Sequence, residues 1–423
     1  MEFFQHLNTY LSNKEVELLK SSLQETQKYG LLLNEKKMSK QQFIKEFPHV
    51  IPHPIVPNGF IYDKNEYEFG KHVYHEMGVY YLQEPSAMIV SYLLKPNPGE
   101  IVLDLCAAPG GKTTQASLLM DNEGVLISND LSHQRCQVLL ENVERMGLSN
   151  VLIVNNDFEK IYKNYFEYFD KIILDAPCSG SGMFRKDDKM LVDWSYAKVL
   201  KFADIQKHLI QIAFEMLKPG GELIYSTCSL SKEEDEDVVK ELLSNNPNAS
   251  LLDIKNDLFY VNKKEPIGVH LLSFKFEGEG HYIAKIKKNG EIIAKSSKIK
   301  SSKMNPLKTS FNEFTFSLPI DVKIKGLNVV RHGLKMYEKK GKDLIYSHHL
   351  SHSELARAHN AGTCELSLIE AEKYVKGEVL NIKTDKGFIL LTYHKIPLGY
   401  GKSDGRVIKN HYPKYLRNKK LIF

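Results

Sequence analysis

The chain has 423 residues, 42% of them hydrophobic and 26% charged; it is too long for one core, so two or three domains are expected, and it has no apolar run of about 18 residues and no basic-then-apolar leader, which predicts a cytoplasmic protein without a membrane partner. Five cysteines without a CxxC pair argue against a disulfide framework and a four-cysteine zinc site, so free thiols are expected; no metal partner and a monomer are separate expectations. The net charge of +5 hides 28 Lys+Arg against 12 Asp+Glu in residues 281–423 and 29 against 40 in residues 1–280, and a basic body joined to an acidic one points to a polyanionic partner such as nucleic acid.

Phe3, Phe4, Leu7, Tyr10 and Leu11 have helix-like spacing, later interrupted by Gly30 and the apolar run Leu31–Leu33. This predicts a small helical or mixed N-terminal lobe over residues 1–75. Four prolines between Pro48 and Pro57 mark an irregular connector. Gly78–Met88 then leads into a helix through Leu94, with Gln83 and Ser86 read as capping residues in preference to site-lining ones.

From Glu100 strands and helices alternate, which predicts an α/β fold with a parallel sheet over residues 76–290. The runs Ile101–Leu105, Val125–Asp130, Val151–Val154, Lys171–Leu174 and Glu222–Ser226 read as strands. Asp104, Asp130, Asp157, Asp175 and Cys228 all stand at or just past their carboxyl ends, the edge where open α/β sheets bind ligands. Between the first strand and its helix lies Asp104-Leu-Cys-Ala-Ala-Pro-Gly-Gly-Lys-Thr113, a turn that offers bare backbone at a helix N-terminus. A phosphate loop would need glycine where Cys106 stands, and the dinucleotide pattern Gly-x-Gly-x-x-Gly is absent. A nucleoside cofactor without a pyrophosphate remains. Asp130 is placed for ribose hydroxyls and Asp157 for an adenine, although either could be a plain helix cap. Together these features point to S-adenosylmethionine.

Cys178 lies in Asp175-Ala-Pro-Cys-Ser-Gly-Ser-Gly182 and Cys228 in Ser226-Thr-Cys-Ser229. A single cysteine is most often a buried small hydrophobe, but two at neighbouring strand ends beside hydroxyls read as reactive thiols. Such a pair has a use next to a methyl donor. Thiolate addition at C6 of a pyrimidine turns C5 into a nucleophile, and the second thiol can help release the product. Asp175 is placed for the N3 edge of the ring. The base must be unstacked, so the substrate is single-stranded or flipped.

These three motifs, with Tyr81-Leu-Gln-Glu-Pro-Ser-Ala-Met88 upstream, resemble the Sun/Fmu-type RNA cytosine-C5 methyltransferases over about residues 75–290. The resemblance implies a Rossmann-like S-adenosylmethionine methyltransferase sheet, with Cys228 as nucleophile and Cys178 as the residue that releases the product. It implies a cofactor pocket lined by Cys106, Ala107, Ala108, Pro109, Gly110, Gly111 and Lys112, by Asp130, Asp157 and Asp175, and by Arg135 near the ribose. The chain departs from the family at Leu32, where an arginine is common, and over Leu271–Phe276. Glu233–Asp237, after Cys228, reads as the acidic first turn of a helix.

Residues 291–310 are Lys/Ser-rich and read as a linker to a basic module over 311–423. Within it 377–382, 387–394 and 397–402 read as short strands. Gly326–Leu334, Pro397–Gly401 and Lys409–Lys414 look like the added PUA-like RNA-binding module of bacterial small-subunit rRNA methyltransferases of this family. The partner implied is 16S rRNA, in its decoding region, or the small ribosomal subunit. A tRNA cytosine-C5 methyltransferase, a DNA cytosine methyltransferase with Cys178 as its nucleophile, and a non-catalytic ribosome-assembly factor are the alternatives.

Overall fold

In the computed structural model, which describes residues 2–185, 189–290, 307–311, 313–341, 343–357, 361–417 and 419–423, Ile101–Asp104 is a central strand of a nine-stranded sheet. Successive side chains of a strand point to opposite faces, and here both faces are covered. Leu103, Ile127, Ile172 and Leu223 enter one apolar core, while Val102, Leu126, Ile173 and Ile224 enter another. This double burial is why the strands read as unbroken apolar runs.

Val151–Val154, Val125–Asn129, Ile101–Asp104, Phe169–Asp175 and Leu217–Thr227 lie parallel in that spatial order. In chain order they are third, second, first, fourth and fifth, so the sheet changes its direction of growth between Ile101–Asp104 and Phe169–Asp175. A crevice opens at the carboxyl ends of such a pair. His281–Lys288 adds to Leu217–Thr227 antiparallel. Pro219-Gly220-Gly221 lie inside Leu217–Thr227, with a register shift opposite Phe169 and Lys171.

The caps of the His133–Met146 helix follow the sequence: Ser132 accepts from the Arg135 amide, and Gly147 ends the helix at φ 71°. A Cβ on Gly147 would lie 2.1 Å from the His352 carbonyl oxygen, so the same glycine lets the C-terminal part approach.

The N-terminal lobe is a four-stranded antiparallel sheet in the order Ile51–Pro52, Gly59–Tyr62, Tyr29–Leu33, Tyr80–Leu82. It therefore runs past residue 75, and its proline-rich connector supplies a two-residue edge strand, where proline is tolerated. The helices Glu2–Leu7 and Asn13–Ser22 pack instead with Phe184, Trp194, Leu230 and Leu272.

The C-terminal part is less separate than its charge suggested. Val329–His332 pairs antiparallel with Val151–Val154 and extends the central sheet. Farther on, Gly362–Glu365, Gly387–Tyr393, Ile396–Ser403 and Ile408–Asn410 form a second small sheet. The strand expected over 377–382 is only a bridge between Leu380 and Ile408, and a helix, Leu368–Val375, precedes it. Tyr374, Leu391, Leu398 and Tyr412 of this module share one core with Phe43, Phe60, Tyr74 and Tyr80 of the N-terminal lobe. Of the expected linker, residues 291–306 lie outside the described residues and Leu307–Phe311 is a strand. No helix among the described residues is long and apolar enough to cross a membrane.

Candidate active site

Asp175 and Ser226 are paired across adjacent parallel strands, so the loops that follow them start side by side. They bring Cys178 Sγ and Cys228 Sγ to 2.9 Å, both as free thiols. The Gly182 amide donates to the Cys228 carbonyl at 2.8 Å, and a Cβ on Gly182 would come within 2.3 Å of the Gly280 carbonyl oxygen. Only glycine permits that approach.

Beneath the thiols lies Glu234, fully buried. It accepts from the Ser179 amide at 2.8 Å, the Ser179 hydroxyl at 2.5 Å, the Ser229 hydroxyl at 2.7 Å and Gln206 Nε2 at 3.1 Å. One carboxylate thus ties both cysteine loops. Of the acidic run Glu233–Asp237, Glu236 and Asp237 do stand in the first turn of the helix, Glu236–Asn245, while Glu233, Glu234 and Asp235 precede it; Glu234, Asp235 and Glu236 are all buried. Asp235 accepts from the Thr227 hydroxyl at 2.6 Å, and burial pushes its carboxyl well up. Glu236 meets His270 Nε2 at 3.0 Å. Among the described residues, Asp235, Glu236 and His270 have metal-like spacing, but that hydrogen bond already uses His270 Nε2.

Asp175 is gripped from three sides, by Lys112 Nζ at 2.7 Å, the Ser226 hydroxyl at 2.7 Å and His281 Nε2 at 3.6 Å. Burial would raise its pKa, but the Lys112 charge and His281 outweigh that and hold it well below the usual carboxylate range. Burial works against the Lys112 ammonium too, and Asp175 more than restores it. The Cys178 thiol is pushed well up, first by its hydrogen bond to Cys228 and then by burial.

The turn after Ile101–Asp104 contains a cis Ala108–Pro109 peptide. Gly110, at φ 111°, starts the Gly111–Leu119 helix without a side-chain cap, which leaves first-turn amides for a ligand. Asp130 accepts from the Ala108 amide at 3.2 Å and the Ser132 amide at 2.9 Å, with Arg135 Nη2 at 3.4 Å. Arg135 also donates to the Ala108 carbonyl at 2.5 Å, so Asp130, Arg135 and the turn form one wall. Asp157 caps the Phe158–Asn164 helix through the Lys160 amide at 2.8 Å, the plain reading left open above. Burial pushes the Cys106 thiol well up.

Two residues that the motifs underplayed complete this wall. Glu84 takes the capping role, accepting from the Ala87 amide at 2.9 Å, and Ser86 bonds to Glu84. That corrects the capping role given to Gln83, whose side chain lies 3.1 Å from the Cβ position of Gly111 with its oxygen buried and unpartnered. Asp104 Oδ1 is likewise buried without a donor, while its other oxygen accepts from Thr113 at 2.7 Å. Orphaned buried acceptors are rare, and a ligand with a cationic amine would satisfy them. S-adenosylmethionine fits on that chemistry.

The strand order, the glycine turn and the acidic strand ends define a Rossmann-like S-adenosylmethionine-dependent methyltransferase. The family model described as 16S rRNA methyltransferase RsmB/F matches residues 91–287, the N-terminal domain of 16S rRNA methyltransferase RsmF matches 1–85, and the methyltransferase RsmF PUA domain matches 361–418. Ribosomal RNA small subunit methyltransferase F of Vibrio parahaemolyticus is 31% identical over 100% of this chain and 98% of its own length; that of Shewanella woodyi is 33% identical over 88% and 86%. The chain belongs to the ribosomal RNA small subunit methyltransferase F family. Among solved structures, a methyltransferase homologue from Pyrococcus horikoshii is 31% identical with a TM-score of 0.57, covering 66% of this chain and 92% of its own. NSun6 from the same organism, solved with SFG, shares the fold at 22% identity and a TM-score of 0.60, over 68% of this chain and 98% of its own.

Proposed function

We propose that this chain methylates C5 of a cytosine in the decoding region of 16S rRNA, in the cytoplasm, through a covalent bond from Cys228 to C6. The observation that carries the reading is the thiol pair at 2.9 Å, placed beside Asp175 and tied by Glu234. Cys228 takes the nucleophile's role that the family resemblance implies, with the Cys178 thiol at hydrogen-bond distance from it. As its sulfur bonds to C6, the Cys228 proton passes to N3, the C5–C6 π electrons shift to leave an enamine that is nucleophilic at C5, and the ionised Asp175 accepts a hydrogen bond from the N3–H. Bound S-adenosylmethionine supplies an electrophilic methyl group. After transfer, the C5 proton leaves to a base, the C5–C6 double bond re-forms and the Cys228 sulfur departs. The Cys178 proton, one hydrogen bond away, meets that sulfur as it leaves. Splitting one hard step into such easier ones is the use of a covalent intermediate.

The basic C-terminal part suits phosphate contacts, and the relatives named above support rRNA over tRNA. Bisulfite sequencing of 16S rRNA from cells lacking the gene, complemented with wild type or Cys228→Ala, tests the reading. A decoding-region cytosine should lose its protection and regain it with wild type alone. Unchanged 16S rRNA would move the target elsewhere, and rescue by Cys228→Ala would overturn the mechanism.

A further inference from the structure

Next to the catalytic loops the N-terminal lobe walls a groove of about 430 Å³. Its floor is aromatic. Tyr29 and Tyr62 lie on adjacent strands with ring centroids 5.9 Å apart, and Tyr67 stacks on Phe69 at 5.0 Å. Its rim carries Lys28, Lys64 and Lys71. Lys64 holds its ammonium 5.1 Å from the centroid of the Tyr29 ring, while Lys28 and Lys71 pair with Asp63 at 3.6 Å and Glu68 at 2.6 Å. Such surface pairs are weak, so a phosphate can displace them. Glu84, also on the wall, is committed to the amides of Ala87 and Glu279.

At its inner end the groove is bounded by Gln83 and Met183. Gln83 abuts the cofactor turn at Gly111, and Met183 follows Gly182, whose amide holds the Cys228 carbonyl. The groove therefore ends against the loop that holds the Cys228 backbone and beside the cofactor turn.

We propose that this groove is a subsite for single-stranded RNA flanking the target cytosine, with one neighbouring base on the tyrosine floor and its phosphates against the lysine rim. The inference rests on the RNA reading given above. A cytosine taken out of its stack leaves its neighbours without a stacking partner, and a protein surface that supplies an aromatic face beside cations replaces it without needing a particular base. An aromatic floor with a lysine rim, ending against the loop that holds the Cys228 backbone, has that composition and that position.

The test is methyl transfer by the full-length protein to an rRNA fragment, comparing wild type, Tyr29→Ala, Tyr29→Phe and the double variant Lys64→Glu/Lys71→Glu. Tyr29→Ala should raise KM for RNA about tenfold with kcat and cofactor affinity unchanged, and Tyr29→Phe should restore it, because the ring and not the hydroxyl does the stacking. The charge reversals should also raise KM and should flatten its dependence on log salt by about 1, since single-strand contacts release roughly 0.7 counterions per phosphate. Exposed lysines do not threaten folding, so this arm decides the matter if Tyr29→Ala is unstable. Wild-type KM and salt slope in both the Tyr29→Ala and the charge-reversed proteins overturn the subsite while leaving the methyltransferase reading intact. A wild-type protein that transfers no methyl group to RNA overturns both.

Discussion

Asp104 and Asp175 end adjacent strands, yet burial acts on them with opposite results. Asp175 has a lysine within 2.7 Å and stays ionised, whereas Asp104 has a threonine hydroxyl and an orphaned oxygen, and burial pushes its carboxyl up to about 7. An unfolded aspartate titrates near about 3.9. Between about pH 4 and about pH 7 the folded cofactor-free protein holds a proton that the unfolded chain has released, so stability falls as pH rises across that window. The slope approaches about 1.4 kcal/mol per pH unit. Asp104→Asn should flatten it in denaturant titrations; parallel curves for variant and wild type would count against the assignment. At this scale the motifs located Asp175, Cys178, Cys228 and Lys112, because strand ends and turn residues leave local signatures. His281 and Glu234 left none, since each acts through a partner far away in sequence. Leu32, the departure from the family pattern, is fully buried in an apolar core shared with Met88 and Val102.

Two loops from neighbouring strands are held in one geometry by Glu234. Glu234→Ala would leave the Ser179 amide, the Ser229 hydroxyl and Gln206 without their acceptor, at a stability cost of about 2 kcal/mol or more. Methyl transfer should drop at least about tenfold through loss of thiol geometry, with cofactor affinity unchanged in calorimetry. Unaltered kcat would show that the loops hold themselves. Element boundaries were legible where caps mark them, as with Ser132 and Gly147. The Leu368–Val375 helix also had a signature, the capping box of Ser367 and Glu370. It escaped because Leu368 and Ile369 are exposed and so break the apolar period that reveals a helix.

The whole molecule closes on itself in a way that charge alone could not reveal. Ile422 bonds to the Val73 amide at 2.7 Å, and the terminal module and the N-terminal lobe bury one core together. A basic C-terminal third is visible in composition, but pairing between residues hundreds apart depends on surfaces that exist only after folding. Removing everything after residue 306 would strip Val329–His332 from the sheet, open the Val151–Val154 edge and expose Phe43 and Tyr74. Exposed edges and apolar faces favour aggregation. The truncated chain should therefore melt at least about 10 °C lower or precipitate, instead of merely losing RNA affinity. A soluble truncation with wild-type melting and cofactor binding would show that the C-terminal part docks without supporting the fold.

The central claim is that Cys228 attacks the base and Cys178 frees it. The most direct measurement is to incubate wild type, Cys178→Ala and Cys228→Ala with an rRNA fragment and S-adenosylmethionine, denature the mixture and map any RNA-linked peptide by mass spectrometry. Cys178→Ala should accumulate an RNA adduct on the peptide containing Cys228, and Cys228→Ala should form none. An adduct on Cys178 in the Cys228→Ala protein would contradict the account.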